Sequence, residues 1–169
     1  MAQVLAAANG FMVADFRNAD GYRHNYEKSY GSRWAMGFLC VPSFHVEDQY
    51  LISTGAFDIR IPARSRHIVL RYAGRYEMAV PIEFDTGLSL FCGYPGSCLR
   101  AWFAGEKVDD IQTEMHLWPK TQAMICAHEN GGRPWRGLLA DLVIYDFFEP
   151  AVNQEIPRIW DTYTNLLWH

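Results

Sequence analysis

Trp135-Arg-Gly-Leu-Leu-Ala-Asp-Leu-Val-Ile-Tyr-Asp146 is the stretch whose reading decides the fold. Gly137 permits a turn, and a nearly unbroken apolar run follows it. Side chains along a strand point alternately to opposite sides. Leu138, Ala140, Leu142 and Ile144 therefore share one face, and Leu139, Asp141, Val143 and Tyr145 the other. A segment apolar on both faces belongs inside a sheet that is covered above and below. Asp141, a lone acid in its middle, must then meet water, a polar partner or another chain.

The same period of two recurs outward from this segment. Trp34, Met36, Phe38 and Cys40 alternate with Ala35, Gly37, Leu39 and Val41. Further short strands are predicted at 50–53, 67–72, 76–80, 88–92, 99–104 and 124–127, with an early one around 11–16. Many short strands separated by Gly and Pro signals predict a sandwich or barrel. Strands and helices do not alternate, which argues against a parallel α/β sheet. One helix closes the chain: Ile156, Ile159, Trp160, Tyr163, Leu166 and Leu167 form a stripe at three- and four-residue steps. Pro157 fits only its first turn, so the helix is capped by Asn153 or starts at Pro157.

At 169 residues the chain is long enough for one sizeable core, and no linker or repeat divides it. A single domain over 1–169 is expected. The hydrophobic half of the composition excludes disorder. A formal charge of −4 gives no reason to expect a nucleic-acid partner. No apolar run reaches the roughly 20 residues of a membrane span, so no membrane partner is expected. The opening residues lack the basic start and apolar centre of a signal peptide, which predicts cytoplasmic synthesis without export. Cys92 and Cys98 flank a Pro95-Gly96 turn and, on facing strands, would lie within disulfide reach. The other arrangement, four reduced thiols with Cys40 and Cys126 in the core, suits a chain without an export signal.

The order of segments resembles the concanavalin A-like lectin/glucanase superfamily, in particular its laminin-G-like members. Trp34 to Val41 is similar to the early Trp-bearing strand, and Tyr50-Leu-Ile-Ser-Thr-Gly55 to the Leu-Ile-Ser strand that follows it. Leu99-Arg-Ala-Trp-Phe-Ala-Gly-Glu-Lys-Val108 looks like the Leu-Tyr-Val-Asn-Gly hairpin strand, with Ala104 where Asn is usual. Trp135-Arg-Gly137 with Ile144-Tyr145 matches the closing signature, and Gln154-Glu-Ile156 the short stretch after it. The resemblance covers about Trp34 to Trp160. It implies an all-β jelly-roll sandwich of two curved antiparallel sheets with a short C-terminal helix. On it, Gly105 sits in a turn needing positive φ, and Gly137 lets the inner strand enter beside its neighbour.

Enzymes of that superfamily place acids at alternate positions of one strand, as Glu-x-Asp-x-Glu, so that the carboxylates share a cleft. Here Glu83-Phe-Asp85-Thr-Gly87 comes nearest, and its third position is Gly87. Asp109-Asp110 and Glu47-Asp48 are adjacent acids that would point apart. A non-enzyme is expected. Cys126, His128 and His116 lack metal-ligand spacing, and Asp109, Asp110, Glu129 and Asn130 form no recognisable calcium pattern. No metal and no cofactor is expected.

Contact residues are sought among loop aromatics: Tyr94, Trp118 and Trp135 adjoin Pro or Gly. Exposed, they would stack on a sugar or anchor a protein; buried, Trp118 and Trp135 would close the sandwich ends. Arg64 and Arg66, within the series Arg60, Arg64, Arg66, Arg71 and Arg75, mark a local positive surface and a candidate interface. The leading expectation is a non-enzymatic structural or adhesion subunit acting through protein contacts. By analogy that extends to capsid decoration or a fibre-associated place in a virion, with homo-oligomers and viral subunits as partners. Residues 1–30, carrying Phe11, Phe16, Tyr22, Tyr26 and Tyr30, would then dock on neighbouring subunits. The alternative is a lectin-like carbohydrate-binding module with a glycan as partner.

Overall fold

The computed structural model describes residues 3–6, 12–15, 22–24, 34–54, 57–72, 76–94, 98–112, 123–128, 130–145 and 156–168. Strands β1 (Gln3–Ala6), β2 (Met12–Asp15), β3 (Tyr22–His24), β4 (Trp34–Pro42), β5 (Gln49–Ser53) and β6 (Phe57–Ile61) come first. β7 (His67–Tyr72), β8 (Tyr76–Pro81), β9 (Leu88–Tyr94), β10 (Cys98–Phe103) and β11 (Glu106–Gln112) follow. β12 (Ala123–Ile125), β13 (Gly137–Tyr145) and helix α1 (Ile156–Trp168) complete the order. Two antiparallel sheets form, in the orders β1-β2-β13-β4-β9-β10-β11 and β3-β12-β5-β6-β7-β8. Successive stretches of chain pass from one sheet to the other. The result is a jelly-roll sandwich with one C-terminal helix.

The period of two explains the core. Met36, Phe38 and Cys40 of β4 and Leu88, Leu90 and Cys92 of β9 point inward from one sheet. Ile59, Ile61, Ile68, Leu70, Met78 and Val80 meet them from the other. The opposite face of β4 and β9 is not left to water. Ala35, Leu39 and Phe91 lie there in a second apolar cluster beneath Trp160 of α1. Gly37 makes this possible, because a Cβ at that position would lie 2.3 Å from Trp160 Cε2. Ile159, expected in the buried stripe, is instead half exposed.

β13 lies between β2 and β4, the inner position its sequence demands. Its strict alternation is interrupted, however. Leu139 pairs with Cys40 and Asp141 with Leu39, so Ala140 is an extra residue in a β-bulge. Beyond the bulge the faces exchange. Leu139 and Leu142 pack on the main core, while Ala140 and Val143 pack on the helix side. Asp141 is exposed, so water meets its charge.

Two further departures have local causes. β12 stops at Ile125 rather than 127 because Cys126 turns the chain with φ of 59°. The β10–β11 hairpin closes through Ala104 and Gly105 at φ of 49° and 75°, a two-residue turn that requires positive φ twice. Three strands of the segment expected for docking are built into the sandwich. β2 extends one sheet by pairing onto β13, with β1 paired on β2, and β3 extends the other by pairing onto β12.

All four cysteines are free and buried. The register rules out the Cys92–Cys98 bridge: Cys92 pairs with Ala101 and faces the core, while Cys98 pairs with Gln112 and lies on the face of Arg100. Burial pushes the Cys40, Cys92 and Cys126 thiols well above the ordinary thiol range. Such thiols ionise more readily in the unfolded chain. Stability should therefore hold below the ordinary thiol value of 9.0 and fall as pH rises beyond it. A thiol-reactive dye at pH 8 should label the native chain far more slowly than the urea-unfolded one; equal rates would contradict this burial. Gly37→Ala should cost about 1–3 kcal/mol in urea denaturation, because the indole of Trp160 must move aside.

Candidate binding surface

One end of the sandwich gathers the loops that β4, β6, β8, β10 and β12 enter as they finish and β5, β7, β9, β11 and β13 leave as they start. Loops 43–48, 62–66 and 82–87, with the described residues 126–128 and 130–136, lie there side by side. Each is hydrogen-bonded to a neighbour. Gln49, fully buried, donates from Nε2 to the Ser43 carbonyl at 2.9 Å and accepts the Arg136 N–H at Oε1 at 2.9 Å. The Ser43 N–H returns to the Arg136 carbonyl at 2.7 Å. Ser43 Oγ donates to Asp85 Oδ1 at 3.0 Å, and the Asp85 N–H donates to the Pro42 carbonyl at 2.7 Å.

Asp48 ties in the remaining loops. Its Oδ1 accepts the Ala63 N–H at 2.8 Å, and its Oδ2 faces Arg133 at 3.4 Å and Arg60 at 3.9 Å. Arg60 also reaches Glu77 at 3.6 Å. From there a polar ladder runs along the outer face of the six-stranded sheet. Arg71 forms a forked ion pair with Asp58, whose other oxygen accepts the Ser53 hydroxyl at 2.8 Å. His128 sets its ring edge-on to Tyr50, with centroids 4.7 Å apart.

Apolar groups stand out above this framework. Phe44 and Val46 are 56% and 55% exposed, high values for large apolar side chains. Phe44 meets Phe84 edge-on with centroids 5.5 Å apart. Beside Phe84 opens a cleft of about 380 Å³ lined by Pro81, Ile82, Glu83, Thr86, Gly87, Leu88 and Phe103. The arrangement is a rigid rim with a fixed aromatic pair, an adjoining cleft and exposed charges of both signs. It can bind.

The residues expected from sequence are distributed unevenly. Trp135 is fully buried in the main core, so its ring closes the sandwich end and offers no contact face. Tyr94 is buried too, near Tyr72, whose hydroxyl is raised above the usual tyrosine range by burial and by Tyr94. Trp118, His116, Glu129 and Arg75 lie outside the described residues. Arg64 and Arg66 do reach the rim, exposed on the 62–66 turn. Glu83 and Asp85 lie in a loop rather than on a strand, so they do not share a strand face. Desolvation pushes Asp110 up, but hydrogen bonds from Arg100 and Lys107 outweigh it and hold the carboxyl below its ordinary range. Phe44 and Phe84 were missed. Phe44 carries the signal used for the others, an aromatic close to a Pro (Pro42), while Phe84 sits between two acids.

No protein-family model and no curated protein matches the sequence. Solved structures do match. Domain 4 of an extracellular GH43 arabinanase from Geobacillus stearothermophilus, solved with arabinotriose, is similar over 89% of this chain and 78% of that one, at 11% identity and a TM-score of 0.71. The heptameric SAP-like pentraxin of Limulus polyphemus covers the same shares at 14% identity and a TM-score of 0.64. The binding domain of botulinum neurotoxin DC, in complex with SialylT, spans all of this chain and 45% of its own, at 10% identity and a TM-score of 0.61. At such identities the likeness establishes the fold alone, a jelly-roll sandwich of two antiparallel sheets as expected from the sequence.

Gln49→Ala should remove the side-chain acceptor of the part-buried Arg136 N–H and the side-chain donor to the Ser43 carbonyl. A loss of about 1–3 kcal/mol is expected in chemical denaturation. Hydrogen exchange should rise in loop 43–48; protection equal to the parent's would show that the amide does not fix the rim.

Proposed function

We propose that the protein is a carbohydrate-binding module that takes its glycan at this loop end, with Phe44 and Phe84 as the contact rings. One observation carries the reading: an exposed phenylalanine is held edge-on against a second by loops that are hydrogen-bonded to each other. A fixed aromatic presents an apolar face on which the C–H side of a sugar ring can stack with little loss of side-chain freedom. Glu47, Glu83, Asp85 and His45, on the same two loops, supply acceptors for sugar hydroxyls. The fold adds support, since two of the similar structures hold saccharide-type ligands, arabinotriose in one and SialylT in the other.

A second reading is carried by Val46, as exposed as Phe44 and on the same loop. The two form an apolar patch that also suits a protein partner. On that reading the chain is an adhesion or structural subunit; a place in a virion rests on analogy alone.

A glycan array followed by calorimetry separates the two. Phe44→Ala and Phe84→Ala should each weaken glycan binding at least about tenfold with the circular dichroism unchanged. Full affinity in both variants would remove the rim from the reading. An array without any binding, together with a stable oligomer by native mass spectrometry, would favour the protein-contact reading.

A further inference from the structure

The charges around the aromatic pair point to a particular class of sugar, an inference that rests on the glycan-binding reading. Among the described residues, Arg60, Arg71, Arg100 and Arg133 each face a carboxylate. Arg64 and Arg66 are exposed and face none. Their turn is nevertheless held in place. The Ala63 N–H donates to Asp48 at 2.8 Å, the Ser65 N–H to the Pro62 carbonyl at 2.9 Å, and the Ile82 N–H to the Arg66 carbonyl at 2.9 Å. Arg64 itself sits at φ of 57°, a conformation kept here by those flanking bonds.

Asp48 ends the loop that carries Phe44, and Ile82 begins the loop that carries Phe84. The turn is thus fastened to both aromatic loops, and it carries two guanidinium groups without counter-ions to the same rim. We propose that this rim selects sugars bearing a carboxylate, of the uronic-acid type. Phe44 and Phe84 take the ring, while Arg64 and Arg66 take the carboxylate. Guanidinium groups match a carboxylate by paired N–H donors, which makes the contact both stronger and more directional than one to a neutral hydroxyl. Exposed Glu47 and Glu83 on the aromatic loops, with a chain charge of −4, oppose a dense polyanion such as nucleic acid. Isolated carboxylates on a sugar chain avoid that repulsion.

The test uses the full chain on uronic-acid oligosaccharides, each presented as the free carboxylate and as its methyl ester. The ester keeps the ring and removes the charge. The carboxylate form should bind about tenfold more tightly, with a gap that narrows as salt is added. Arg64→Gln combined with Arg66→Gln should close the gap, bringing carboxylate binding down to the level of the ester. Equal affinity for the two forms, or a gap that survives the double substitution, overturns the acid selectivity while leaving neutral-glycan binding intact. Failure to bind any sugar, charged or neutral, overturns the glycan reading and this inference with it.

Discussion

The loop end of this sandwich depends on one close approach. At Gly137 the backbone of β13 passes so near β4 that a Cβ would lie 2.1 Å from the Val41 carbonyl oxygen. Only glycine fits. With strand entry fixed there, the two residues before it are committed in different directions. Trp135 goes into the core, its N–H bonded to the Cys126 carbonyl at 2.8 Å. Arg136 turns its backbone toward Gln49 and Ser43, which anchors the loop bearing Phe44. Core, sheet and rim are therefore coupled through three consecutive residues. The Trp135 indole N–H remains without a partner, a local cost that burial of so large a ring offsets.

Much of the fold was legible because burial imposes a period of two on every strand that has a covered face. β4, β7, β9 and β13 are visible on that ground alone. β6 was not read, although Phe57, Ile59 and Ile61 alternate with Asp58 and Arg60. Its outward positions are charged and the segment is only five residues long, so three apolar residues leave a weak imprint of the period. β11, Glu106–Gln112, is too polar for the pattern to appear. Glu106, Lys107, Val108 and Asp109 are all exposed, so this edge strand has little covered face to impose alternation. The exchange of faces in β13 was invisible for another reason: a bulge adds one residue without any marker in composition.

The site was less legible than the fold. Proximity to Pro or Gly selects positions near turns, but it cannot say whether an aromatic points out or in. Trp135 and Phe44 satisfy the criterion alike, and opposite burial separates them. Pairing of charges is equally hidden. Arg60, Arg64, Arg66 and Arg71 form one basic series in sequence, yet Arg60 and Arg71 lie on strand β6 or β7, opposite acids of neighbouring segments. Arg64 and Arg66 occupy the intervening turn, where no acid reaches them. Strand geometry therefore divides a single series into structural and available halves.

Affinity at such a surface is set less by its area than by how much order is already present before a ligand arrives. The sandwich supplies that order where side chains cannot. The inner face is closed by close packing and buried thiols, and the outer face over β4, β9 and β10 is taken by α1 through Trp160. A ring on a free loop would lose rotational freedom on binding and return little. Phe44 rests on Phe84, its loop is pinned by Gln49, and Gln49 is pinned by the entry of β13, so that loss is met during folding. The rim joins exposed apolar surface to a hydrogen-bonded backbone, and on the proposed reading recognition falls to these loops while the sheets supply cohesion.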